Sequence, residues 1–172
     1  MSSRRSADPK RRNMEFLLQD VPERSAMTAV AHILKAKADQ TVYNIAPAAS
    51  VFDAMRLMAD KGIGALLVME DETIVGIITE RDYARKVVLM GRSSKETPVR
   101  EIMTSAVMYV RLDQTSEECM ALMTENRLRH LPVLDGRALI GLVSIGDLVK
   151  DIISEQRFMI EQLTHYIMGE HG

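Results

Sequence analysis

Two short patterns in this 172-residue chain could do chemistry: Thr79-Glu80-Arg81-Asp82 and Ser144-Ile145-Gly146-Asp147. Each sets a hydroxyl three residues before a carboxylate. An ionised carboxylate only accepts, and its two oxygens can take two adjacent O–H donors at once. The same spacing after a strand is also an ordinary helix N-cap with an acid in the first turn. One copy alone would favour that plainer reading. Two copies at equivalent positions, with different charges around them, ask for more. Beside the second copy stand Arg127, Arg129 and His130, where the first has Gly62, Gly64 and Ala65.

The elements that carry these residues are themselves duplicated. Gly62 to Asp82 (GIGALLVMEDETIVGIITERD) aligns without a gap on Arg127 to Asp147 (RLRHLPVLDGRALIGLVSIGD), 65 positions later. Leu66, Val68 and Gly76 meet Leu131, Val133 and Gly141. The register continues upstream, where Met55, Leu57 and Met58 meet Met120, Leu122 and Met123. A self-similar unit of this size is read as a repeat before anything else.

Each unit reads as strand, helix, strand, strand, helix. In the first, Val42 to Ile45 is a short extended piece stopped by Pro47, and Ser50 is an N-cap candidate. Val51, Ala54, Met55 and Met58 give one apolar face, with Gly62 or Gly64 as the stop. Strands over 65–69 and 74–78 flank the turn EDET, and a helix follows over 80–90. In the second unit a strand is expected over 107–110. Thr115 with Glu118 forms a capping box, strands cover 130–134 and 138–143, and a helix starts near Gly146. Its apolar period runs on to about residue 168 through Val149, Ile152, Ile153, Met159, Ile160, Leu163 and Ile167, well past its counterpart. Such a stripe needs a partner, either the N-terminal helix or another subunit. The layout expected is a disordered basic arm over 1–13, a helical segment over 14–36, unit one over 37–92, linker and unit two over 93–153, and a helix extension over 154–172.

Composition narrows the class. Apolar residues make up 47% and charged residues 27%, and the net charge is −2, which suits a soluble globular protein; the order of strands and helices in each unit makes the expected fold class α/β (α+β). No global basic field points to nucleic acid, and no apolar run reaches a membrane span. One cysteine, Cys119, rules out a disulfide framework and cysteine-based zinc. It aligns with Ala54 on the apolar helix face and reads as core. His32, His165 and His171 share no ligand spacing, so no metal is expected. The basic arm carries Arg4, Arg5, Lys10, Arg11 and Arg12; it reads as a solvated tail, with an organelle transit segment or an electrostatic tether as the alternatives. The chain is accordingly expected in the cytoplasm, or in an organelle matrix if the arm is a transit segment.

The stretches MTSAVMYV, RHLPV and GLVSIGD in unit two, and GALLV and GIITERD in unit one, resemble a tandem CBS domain pair, also called a Bateman module. The likeness spans about residues 26–153, and the initial Met-Thr element is not visible in unit one. ERDYARKVVLMGRSSKET and IISEQRFMIEQLTHYI are further similar to the small stand-alone CBS-pair proteins, the CBSX type. The resemblance implies two β-α-β-β-α units packed about a pseudo-twofold axis, with clefts between them for adenosine-containing ligands such as AMP, ATP or NAD.

On that resemblance, Asp82 and Asp147 would accept the ribose diol, with Thr79 and Ser144 beside them. Val42, Ile45, Val107 and Val110 would wall the base. Arg129 and His130 would face the phosphates of the ligand whose ribose Asp82 holds, while Asp147, Ser144, Gly64 and Ala65 would make a second, less basic site. Arg81, Lys35 and Lys37 are secondary phosphate candidates that read first as solvated surface cations. There is no phosphate loop, no dinucleotide fingerprint and no nucleophile elbow. The expected role is therefore a non-enzymatic sensor that passes its ligand state to a partner protein, as a homodimer. The alternative is a ligand-free interaction protein that uses the C-terminal helix or the basic arm.

Overall fold

A computed structural model describes residues 29–169. The expectations for the arm over 1–13, and for the helical segment before residue 29, lie outside them. Helix α1 spans Ala29–Ala36. Unit one follows with β1 (Asn44–Ile45), α2 (Val51–Lys61), β2 (Ala65–Glu70), β3 (Thr73–Thr79) and α3 (Glu80–Tyr83), which passes into a π-helical turn over Ala84–Val88. After a 3-10 turn at Val99–Glu101, unit two has α4 (Ser116–Asn126), β4 (His130–Asp135), β5 (Ala138–Ser144) and α5 (Ile145–Gly169).

Local signals account for most boundaries. The Ser50 hydroxyl accepts from the Asp53 backbone N–H and opens α2, and Gly62 closes it in the left-handed region at φ 65°. Thr115 and Glu118 form the reciprocal capping box of α4. Both hairpins are antiparallel, pairing Ala65 with Thr79 and His130 with Ser144 at their open ends.

Three expected elements differ. Val42 to Ile45 narrows to the two-residue β1, parallel to β2. The strand over 107–110 reduces to one parallel bridge, Val110 to Val133. Proline explains the second. In unit one the Leu67 N–H donates to the Tyr43 carbonyl at 3.4 Å. The equivalent of Leu67 is Pro132, which has no N–H to extend the ladder toward Met108. The helix expected over 80–90 also changes pitch: the Leu89 N–H reaches the Ala84 carbonyl, five residues back.

Each unit's core is completed by a segment from outside it. Val30 and Ile33 of α1 are buried with Cys119, Met123, Leu131 and Val143 of unit two. Val99 and Ile102, from the linker, are buried with Val51, Met58, Leu66 and Ile78 of unit one. The crossing passes over two equivalent glycines. A Cβ on Gly76 would lie 2.5 Å from the Met103 sulfur, and one on Gly141 would lie 2.6 Å from a Leu34 methyl. A third cluster, Ala65, Leu67 and Ile77 with Val42, Val107 and Leu142, joins the two sheets. The units thus pack sheet against sheet, and the ends of both hairpins come to one place.

Candidate functional site

That place is a cleft of about 390 Å³, a size suited to a small molecule. Gly64, Thr79, Arg81 and Asp82 line it from unit one, and Val107, Arg129, His130 and Ser144 from unit two. Eight of the residues singled out from sequence therefore share one cavity. Gly64 and Ser144, expected in a separate second site, lie on the same walls as Arg129 and His130. The backbone repeats across it: the Glu80 N–H donates to the Gly64 carbonyl at 3.2 Å, and the Ile145 N–H to the Arg129 carbonyl at 2.9 Å.

Five candidates stand back from the lining. Ala65 and Val42 belong to the apolar cluster behind it. Ile45 packs on the core of unit one and Val110 is buried in that of unit two, and neither lines this cleft. Asp147 lies just past the lining residues Ser144, Ile145 and Gly146.

Both carboxylates are anchored within their own unit. Asp82 Oδ2 accepts from the Thr79 backbone N–H at 3.0 Å and from its hydroxyl at 2.9 Å, while the Asp82 N–H donates back to Thr79 Oγ1. This is the capping box of α3. Lys86, one turn on, holds Oδ1 at 2.9 Å. Asp147 Oδ2 accepts from the Ser144 N–H at 2.8 Å and from Lys37 Nζ at 3.0 Å. Lys37 also donates to the Leu142 carbonyl at 2.9 Å. Of the three secondary cations, then, Lys37 is committed to a carboxylate, Lys35 is exposed and Arg81 lines the cleft. The capping function of both aspartates is plain, and any ligand role comes on top of it.

The electrostatics follow. Burial pushes the Asp147 carboxyl up, but the Ser144 N–H and the Lys37 ammonium outweigh it, and the group ends below the usual carboxylate range. Burial, and after it the Arg129 guanidinium, hold His130 below the usual imidazole value, so it is neutral at pH 7. Asp147 and Lys37 act on His130 as well, with opposite signs. Across the cleft its ring carbon Cε1 would lie 4.0 Å from a Cβ built on Gly64. His130 therefore looks toward unit one while feeling the charges of unit two.

The cleft also contains residues that were not selected as site candidates. Glu80 and Thr104 line it, as does Arg127. Arg127 had a signal in the sequence, since it replaces Gly62 in the alignment. Thr104 had none, because its place depends on the linker folding back to pair with Ile77. Among the described residues no helix is long and apolar enough to cross a membrane.

Comparison with known proteins bears on both the units and the cleft. A protein-family model for the CBS domain matches twice, over residues 32–89 and 99–154. The CBS domain-containing protein CBSX3, mitochondrial, of Arabidopsis thaliana is 42% identical over 125 residues, which are 70% of this chain and 61% of that protein. The chain thus spans less than two thirds of that relative's length. A solved protein with CBS domains from Burkholderia ambifaria is 63% identical, covering 75% of this chain and 96% of the other, with a TM-score of 0.73. A CBS domain pair crystallised with 5′-methylthioadenosine and S-adenosyl-L-methionine has the same fold at 24% identity, covering 75% of this chain and 98% of the other, with a TM-score of 0.65.

Proposed function

This chain belongs to the CBS domain family and carries two copies of the domain, and from that premise we propose that it is a regulatory module for adenosine-containing ligands. AMP, ATP, NAD or a related compound would sit in the cleft between the units, and the bound state would pass to a partner protein. One observation carries the reading: Thr79 and Asp82 of unit one and Arg129 and His130 of unit two line a single cavity. Acceptors for a diol and donors for phosphate thus meet across a boundary between two packed bodies. A ligand there touches both units, so it can favour one relative arrangement over another. The role is regulatory rather than catalytic. The fold is also that of a pair solved with two adenosine compounds, which gives the chemistry a precedent in this architecture.

Isothermal titration with AMP, ATP and NAD tests the reading. Asp82→Ala and Asp147→Ala should each weaken binding by about tenfold to a hundredfold, the value of a charge-assisted hydrogen bond. Asp82→Asn, which keeps a capping oxygen, separates lost binding from a frayed helix. Unchanged affinity in the double alanine variant would sink the ribose assignment. No binding in the wild-type protein would favour the second reading, an interaction protein that works through its helix.

That second reading has an observation of its own. Along α5, Met159, Ile160, Leu163 and Ile167 are exposed by 53–63%. We take this stripe to seat against a second copy of the chain, an arrangement compatible with either reading. Sedimentation should find a dimer, and Leu163→Glu should dissociate it; a wild-type monomer at micromolar concentration would refute the pairing.

A further inference from the structure

Arg127 stands where unit one has Gly62, and the two share one backbone conformation. Gly62 ends α2 at φ 65°, ψ 37°, and Arg127 ends α4 at φ 54°, ψ 39°. Glycine is at ease in the left-handed region, whereas a residue with a Cβ is strained there. Helix α4 therefore closes on a residue that disfavours its own conformation. Packing offers no compensation, because Arg127 is exposed and has no ion-pair partner among the described residues. What it has is a position on the cleft wall.

The charge around it is unbalanced. Arg81 and Arg129 line the same cleft and likewise lack an ion-pair partner among the described residues. Against these guanidinium groups stand Glu80 and Asp82, and Asp82 is already held by Lys86 at 2.9 Å. Glu80 alone cannot neutralise them. Burial and the neighbouring Arg129 keep His130 uncharged, as expected where the local field is already positive.

Resting on the adenosine-ligand reading, we infer that Arg127 makes the cleft selective for nucleotides with two or more phosphates over the monophosphate. If Arg129 and His130 take the phosphate nearest the ribose, Arg127 lies two residues upstream, at most about 7 Å along the chain. That is within reach of the next phosphates. The planar guanidinium matches phosphate oxygens two at a time, and each added phosphate brings negative charge to a site with positive charge to spare.

Titration of ATP and AMP into the wild-type protein, Arg127→Gly and Arg127→Lys tests this. Arg127→Gly gives the helix end the residue its backbone prefers, so its Tm should be no lower than that of the wild type. The ratio of ATP to AMP affinity should fall by about tenfold or more. Arg127→Lys keeps the charge and should lose less. An unchanged ratio in Arg127→Gly overturns the inference and leaves the adenosine reading intact. A wild-type protein that binds neither nucleotide overturns both.

Discussion

Unit one and unit two are the same hairpin and helices, closed in different ways. In unit one the carboxylate at the cleft is held by its own helix, through Lys86 one turn on. In unit two it is held from far away in sequence, through Lys37, 110 residues earlier. The final helix differs too. Unit one's gives way to a π turn after Tyr83, leaving Val88, Leu89 and Met90 exposed, while unit two's runs unbroken for 25 residues. Duplication preserved the hairpin ends and their capping boxes. Divergence fell on what covers each unit and on which charges surround each carboxylate. Unit two is thereby tied to Lys37, in the segment after α1.

The largest expected effect tests how each unit is covered. Gly76 and Gly141 are equivalent, but their lids are not. A Cβ on Gly76 meets the Met103 sulfur at 2.5 Å and the Thr104 carbonyl oxygen at 3.1 Å, whereas the nearest atoms to one on Gly141 belong to the Leu34 side chain, the first at 2.6 Å. The Thr104 backbone cannot yield easily, because it exchanges two hydrogen bonds with Ile77, of 3.0 and 2.9 Å. Overpacking costs about 1–3 kcal/mol. Gly76→Ala should fall at the top of that range, lowering Tm by roughly 6–10 °C, and Gly141→Ala near the bottom, at about 2–4 °C. Equal losses in thermal denaturation would mean that the two lids are mechanically alike.

How much of this was legible in the sequence follows from the same contrast. Local signals were readable: Ser50, Thr115 with Glu118, and Gly62 mark helix ends by their own chemistry, and alternation within the repeat marks the hairpins. Cys119, aligned with Ala54, is buried, and burial pushes its thiol up to about 11. Gathering eight candidates into one cleft was within reach because the repeat places hairpin ends at equivalent positions. The rest depended on long-range partners. Nothing near Lys37 announces Asp147, and nothing near Leu34 announces Gly141. Pro132 did carry a readable signal, since a missing N–H at a ladder position weakens the neighbouring strand. Val107 to Val110 is nonetheless apolar enough to look like one.

A smaller effect tests the charges. Lys37→Met removes the ammonium from Asp147 and leaves the Leu142 carbonyl without that donor. The Asp147 side chain is 18% exposed and Lys37 27%, so the pair is only partly screened, and the loss at pH 7 should be about 1–2 kcal/mol. Lys86, at 43%, is more solvated, and Lys86→Met should cost about 0.5 kcal/mol. The sign with pH follows from the folded value of Asp147, depressed below its ordinary 3.8. Its contribution is fully present above that value and is lost as pH falls through the folded pKa. In Lys37→Met, burial is opposed only by the Ser144 backbone and side-chain hydrogen bonds, so the folded pKa moves back up and the contribution shrinks. Urea denaturation should therefore show the wild type and Lys37→Met well separated at pH 7 and converging as pH falls below the usual carboxylate range. A deficit that stayed constant into acid would assign the role of Lys37 to its bond with the Leu142 carbonyl rather than to the carboxylate. Equal losses for the two lysines at pH 7 would erase the distinction between local and remote anchoring on which the comparison of the units rests.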